Sequence, residues 1–242
     1  MRPFVLLASR AQDDAADAEY ASFLTLCELA PHELVRVRME AGPLPSIDLD
    51  EISGVIVGGS PFDTSSTRKS STQVRVEREV SALLDEVVAR DTPFFGACYG
   101  VGTLGVHQGA VVDATYGEEI GAVRVRLTAQ GRSDPLLAEL PEEFDAFVGH
   151  KEACSVLPAS ATLLVSSDTC PVQMFRVRSN LYATQFHPEL DAAAIAARVR
   201  VYDGYGYYDP GELDEVLARI AASDVWAPSR ILSAFVRRFA RT

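Results

Sequence analysis

The first half of the chain alternates short apolar, β-branched runs with longer stretches whose apolar residues recur every three to four positions. Such alternation predicts strands and helices in turn, and hence a parallel sheet with helices on both faces. Strands are expected at residues 3–9 and 33–38, with a helix from about Asp14 to Ala30 between them that turns Phe23, Leu24, Cys27 and Leu29 inward. Residues 52–57 read Ile-Ser-Gly-Val-Ile-Val and stop at Gly58-Gly59, as a buried strand ending in a tight loop would. The Ser/Thr-rich segment 60–73 has no period and is expected to be a loop. A helix follows over 74–90, with apolar positions 76, 80, 83, 84, 87 and 88 on one face. Residues 93–97 then form a short strand that runs at once into Cys98-Tyr99-Gly100 and a further helical stretch toward His107.

Beyond Ala110 the texture changes to shorter segments at 120–127, 144–148, 163–166, 172–177 and 181–186, which predict an antiparallel extension of the same sheet. The end of the chain predicts helices over 191–201, 210–222 and 229–241. The first two are separated by a Gly- and Asp-rich aromatic run, residues 202–209, that cannot be a regular element. With no internal repeat and no long linker, the expectation is one domain over 1–242, of which 190–242 is a helical extension.

Composition narrows the function classes. Across 242 residues, 22 Lys and Arg face 34 Asp and Glu, a net charge of −12. That sign repels phosphate backbones and anionic headgroups, so nucleic acid and membrane are not expected partners. No run approaches the ~20 apolar residues that span a bilayer. The apolar stretch 4–8 is shorter than a signal-peptide core of about 7–15 residues. Four well-separated cysteines, Cys27, Cys98, Cys154 and Cys170, form no paired metal or dithiol motif, and a reducing cytoplasm is the expected setting. No cofactor and no metal site are predicted.

The chemistry concentrates in three places. Gly96-Ala97-Cys98-Tyr99-Gly100 lies where a strand turns sharply into a helix, the geometry of a nucleophile elbow. Flanking glycines tolerate the turn, and the helix N-terminus favours thiolate at Cys98. The bland alternative is a small buried filler. Gln185-Phe186-His187-Pro188-Glu189 supplies a base and a carboxylate to orient it, since residues two apart in extended chain share a side. Taken alone it reads equally as a surface turn. Gly58-Gly59 offers an unhindered N–H for an oxyanion, with the Tyr99 N–H as second donor.

The set Gly58-Gly59-Ser60, Gly96 to Gly100 and His187-Pro188-Glu189, at these intervals, resembles the class I (triad) glutamine amidotransferases. Within that family it is similar to the amidotransferase domain of GMP synthase, and the resemblance extends to His150-Lys151-Glu152 followed by Leu157-Pro158. The resemblance implies a flavodoxin-like α/β fold and a triad of Cys98, His187 and Glu189, with Gly59 and Tyr99 as oxyanion donors. It implies that Cys98 attacks the side-chain amide of glutamine, forming a γ-glutamyl thioester and releasing ammonia toward a synthase subunit on another chain. Gly58, Gly102, His150 and Lys151 fall at substrate-binding positions. Two of these depart from the family pattern, which has glutamine where Gly102 stands and glycine where Lys151 stands. The departures keep two alternatives open: a γ-glutamyl peptidase or hydrolase acting on other γ-glutamyl compounds, and a catalytically silent binding or regulatory subunit.

Overall fold

The structure is a computed structural model that describes residues 1–209 and 211–242. Its frame is a nine-stranded sheet. The parallel part comprises β1 (Phe4–Ala8), β2 (Leu34–Arg38), β3 (Gly54–Val57) and β4 (Phe94–Ala97). The antiparallel part adds β6 (Glu118–Leu127), β7 (Glu143–His150), β9 (Ala161–Ser167), β10 (Met174–Val177) and β11 (Leu181–Thr184). Across the sheet the order is β2-β1-β3-β4-β11-β10-β9-β6-β7, beginning in the flavodoxin-like manner and continuing as the predicted extension. β11 is the seam: it runs parallel to β4 and antiparallel to β10.

Alternation along the strands divides the core in two, because successive side chains point to opposite faces. Phe4, Leu6, Ile56 and Phe95 pack on one face with α1 (Asp13–Leu26) and α6 (Ala227–Phe239). Val5, Leu7, Val55, Val57 and Phe94 pack on the other with α2 (Ser71–Arg90). α2 starts at a Ser70 cap whose hydroxyl accepts the Gln73 N–H, and it ends at Asp91 in the left-handed region, φ 52°. The loop predicted to run to residue 73 therefore stops three residues sooner, because Ser70 caps a first turn that has no apolar residue to betray it.

Other departures are local. α1 ends at Leu26, followed by Cys27 and a left-handed Glu28. The stretch after Cys98 contains a π-helical turn, Val101–Gly105. Two strands that the sequence pattern does not predict, β5 (Val111–Asp113) and β8 (Ala153–Val156), pair as a separate small sheet. They are too short to show a period. The remaining helices are the single turn α3 (Ala129–Arg132), α4 (Ala192–Val201) and α5 (Leu213–Ala221). The sequence-predicted start of α5, Pro210, lies outside the described residues. Among the described residues no helix is long and apolar enough to cross a membrane.

Candidate active site

Cys98 follows the last residue of β4 at the carboxyl end of the parallel strands, where open α/β sheets place their ligands. Its backbone is left-handed, φ 56°, a conformation that a non-glycine residue holds only when its surroundings enforce it. The enforcement is visible. The Cys98 N–H donates to the Thr184 carbonyl of β11 at 2.7 Å, and the Cys98 carbonyl accepts the Val101 N–H at 3.0 Å. Gly96 and Gly100 pack so closely that a Cβ on Gly96 would stand 2.4 Å from the Gly100 Cα. Gly96 is therefore a steric requirement of the turn, whereas a Cβ on Gly100 would meet only the Ala183 Cβ, at 3.9 Å.

β11 brings His187 to this point. Thr184 is in register with Ala97, so the chain after β11 runs alongside Cys98. The His187 N–H donates to the Phe147 carbonyl at 2.8 Å, and its Nδ1–H donates to Glu189 Oε1 at 2.8 Å, which leaves Nε2 for the Cys98 sulfur. Burial alone would lower the His187 pKa, but the Glu189 carboxylate and the Cys98 sulfur beside the ring raise it to about 9. Burial would raise the Glu189 pKa, yet His187 and Arg198 hold it far below the usual carboxylate range.

A buried charge network that no sequence motif announces lies behind this pair. Arg198, on α4, donates to Glu189 Oε1 at 3.0 Å and lies 3.5 Å from Glu19 Oε1. Arg10, just after β1, donates to the same Glu19 oxygen at 2.8 Å and to the Tyr202 hydroxyl at 3.0 Å. Two carboxylates thus face two guanidiniums, the balance that buried charges require. The four charged residues come from two distant stretches of the chain, 10–19 and 189–198, so local spacing carries no signal of their meeting.

The two glycines after β3 meet this network. A Cβ on Gly58 would stand 2.7 Å from Glu19 Oε2, and one on Gly59 would stand 2.6 Å from Arg10 Nη2 and 3.1 Å from His187 Cε1. The Gly58 N–H is used in the sheet, donating to the Leu7 carbonyl at 3.1 Å. Gly59 is the one packed against His187. Tyr99 opens the helical stretch, where the first N–H groups have no intrahelical acceptor.

Cys98 stands between two chambers. The one shared with His187 is walled by apolar and aromatic side chains, including Ile120, Leu190, Ile195, Val199, Tyr207 and Tyr208. The other is polar, and Asp63, Gly102, His150, Lys151, Glu152 and Gln185 line it. His150 has both ring nitrogens engaged: Nε2 with Glu118 at 2.8 Å and Nδ1 with the Glu152 carbonyl at 3.0 Å. Glu118, also bonded by Thr169 and Gln173, is its cross-strand partner. Burial would raise the Glu118 pKa, and these donors lower it. Lys151 donates to the Tyr205 carbonyl at 2.8 Å and lies over the Tyr207 ring, 5.0 Å from its centroid. At Gly102 a Cβ would stand 2.2 Å from Thr64 Oγ1. The space for a side chain there is filled by the loop after β3, which the Glu152 carboxylate anchors by accepting the Thr64 and Ser65 N–H groups at 2.6 and 2.7 Å. Among the described residues no cluster of His, Cys, Asp or Glu is arranged to hold a metal ion.

Fold and site together define an α/β protein of the class I glutamine amidotransferase kind. A glutamine amidotransferase from Thermotoga maritima is similar over 100% of both chains, with TM-score 0.78 and 20% identity. A glutamine amido transferase from Methylobacillus flagellatus is similar with TM-score 0.74 and 20% identity, over 100% of this chain and 97% of that one. The sequence profile of the family described as "Glutamine amidotransferase class-I" matches residues 23–197, and the chain belongs to that family. Among curated relatives, the glutamine-hydrolyzing GMP synthase of Marinobacter nauticus is 26% identical over 84% of this chain. A subunit of the glutamine-hydrolyzing GMP synthase of Thermoplasma volcanium is 30% identical over 65% of this chain and 72% of its own length. The chain spans only 36% of the length of the Marinobacter protein.

Proposed function

We propose that this protein hydrolyses the side-chain amide of glutamine by covalent catalysis at Cys98. The observation that carries the reading is a thiol on an enforced left-handed turn beside His187, whose other ring nitrogen is held by Glu189 at 2.8 Å. The Cys98 thiolate attacks the amide carbonyl carbon, and the Gly59 and Tyr99 N–H groups receive the oxyanion. The tetrahedral intermediate collapses as His187 gives its proton to the leaving nitrogen, which departs as ammonia. Water then adds to the thioester, losing its proton to His187, and glutamate leaves with the thiolate restored. No cofactor enters these steps. His187, held protonated near neutral pH, is ready for the donation the first half-reaction needs.

The leaving nitrogen faces the chamber that contains His187. The cations there, Arg10 and Arg198, are each paired with a buried carboxylate. A peptide-like leaving amine would bring its own carboxylate into apolar walls with no free cation, at a cost of several kcal/mol. Ammonia or a small neutral amine meets no such penalty, and this favours glutamine over γ-glutamyl peptides. We propose further that ammonia passes to a synthase subunit on another chain and that the protein works in the cytoplasm, where its four free cysteines stay reduced.

The test is glutamate and ammonia release from glutamine by the purified protein and by Cys98→Ala. Release by the wild type and loss of at least about 1,000-fold in the variant is the expected result, given what nucleophile removal costs in comparable triads. Cys98-dependent release only from γ-glutamyl amines would move the substrate to that class, and release that survives Cys98→Ala would defeat the mechanism.

A further inference from the structure

The polar chamber beside Cys98 contains two opposite charges that the rest of the molecule leaves partly unused. The Asp63 backbone carbonyl accepts the Gln73 side chain at 2.8 Å and the Ser66 N–H at 3.2 Å. Among the described residues its carboxylate has no hydrogen-bond donor and no ion pair, although it lines the chamber. Burial pushes the Asp63 pKa up and Glu152 adds to this, while Lys151 opposes it, so the carboxylate sits in surroundings that an arriving cation would relieve. Lys151 uses one N–H on the Tyr205 carbonyl, and an ammonium has three to give. Glu152, the remaining acid, is occupied with the Thr64 and Ser65 N–H groups.

The local sequence explains why the charges stand there. With no side chain at Gly102, the loop after β3 advances until Thr64 occupies that volume. Asp63, its neighbour, comes with it to the chamber wall. Lys151 stands at the turn after β7 and lines the same chamber.

We propose that Asp63 and Lys151 bind the α-ammonium and α-carboxylate of the acyl donor, so that the substrate is a side-chain amide of a free α-amino acid. The proposal rests on the reading of Cys98 as nucleophile. It assigns the recognition that Gly102, having no side chain, does not provide to two charged residues that line the same chamber. A charge-assisted contact of this kind is worth about a 10- to 100-fold preference.

Two truncated amides separate the roles. Glutaramate lacks only the α-ammonium, and γ-aminobutyramide lacks only the α-carboxylate. The wild type is expected to favour glutamine over each by about 10- to 100-fold in kcat/KM. Asp63→Asn is expected to collapse the preference over glutaramate, because glutamine turnover falls far more than glutaramate turnover. Lys151→Met is expected to do the same for γ-aminobutyramide, and Lys151→Arg to restore most of the preference. Equal loss on glutamine and on the truncated amide would overturn the assignment, since a merely structural role affects both alike. Binding is measured separately, by calorimetry of glutamine on Cys98→Ala with and without Asp63→Asn or Lys151→Met. Weakened binding in both double variants supports the pair even if Cys98 proves not to be the nucleophile. No binding of glutamine to Cys98→Ala, or unchanged binding in the double variants, overturns it.

Discussion

At Gly102 a hydrogen in place of a side chain lets the loop after β3 close onto the polar chamber beside Cys98. Thr64 fills the vacated space, so introducing the glutamine found at this position in the family would drive its Cβ to 2.2 Å from Thr64 Oγ1. Gly102→Gln is expected to cost about 1–3 kcal/mol of stability through overpacking, read as a lowered urea midpoint. Thr64→Gly in the same chain is expected to recover part of that loss, although it adds a flexible residue to the loop. If the single variant is as stable as the wild type, the loop yields freely and the packing argument fails. The candidate triad positions are legible in the sequence because each lies in a short motif whose local geometry is dictated: glycines around Cys98, and Pro188 between His187 and Glu189. Arg10, Glu19 and Arg198 are not, since no spacing rule links a strand end to two helices. Asp63 and Thr64 are hidden for a different reason, in a loop whose path depends on what residue 102 lacks.

At the scale of elements, predicted helices and strands match the structure where periodicity is long and drift where capping or pairing sets the boundary. α2 shows its apolar face over five turns, whereas β5 and β8 exist because they find each other across the chain. α6 shows how a C-terminal amphipathic pattern becomes core. Its Phe235 is fully buried and meets Phe4, Phe95, Tyr182 and Phe239, with ring centroids 4.9 to 6.5 Å apart. Phe235→Ala is expected to destabilise the protein by about 3–5 kcal/mol, checked by equilibrium urea unfolding. An effect below about 1 kcal/mol would show that α6 is not integral to the sheet's packing. The tyrosine run between α4 and α5 divides its work. Tyr202 packs onto the core, being buried against Arg10, while Tyr207 and Tyr208 wall the His187 chamber.

The whole molecule carries its buried charges as a pH-dependent part of its stability. His187 is raised from the ordinary imidazole value of about 6.5 to about 9 because Glu189 and Cys98 outweigh burial. Its contribution is complete below the unfolded value and is lost as pH rises through about 9. Glu189 is depressed, against the opposing effect of burial, by His187 and Arg198. Its contribution is present above the ordinary carboxylate range and disappears on acidification. The two overlap between about pH 5 and 6.5, where the stability from this pair is greatest. Urea midpoints are expected to fall between about pH 6.5 and 9.5 in the wild type and to fall less in His187→Gln. Parallel decline in both proteins would locate the pH dependence elsewhere.

The chain ends meet: the Arg2 N–H donates to the Arg241 carbonyl at 2.7 Å, and the Arg241 N–H donates to Ser53 Oγ at 2.9 Å. Both ends therefore leave from the side where β1 and β3 begin, opposite the strand ends that present Cys98. A segment fused at Met1 or Thr242 emerges behind the sheet, away from the strand ends that present Cys98. The same closeness allows the ends to be joined by a short bridge and the chain reopened in a surface loop, a circular permutation that leaves the Cys98 turn uncut.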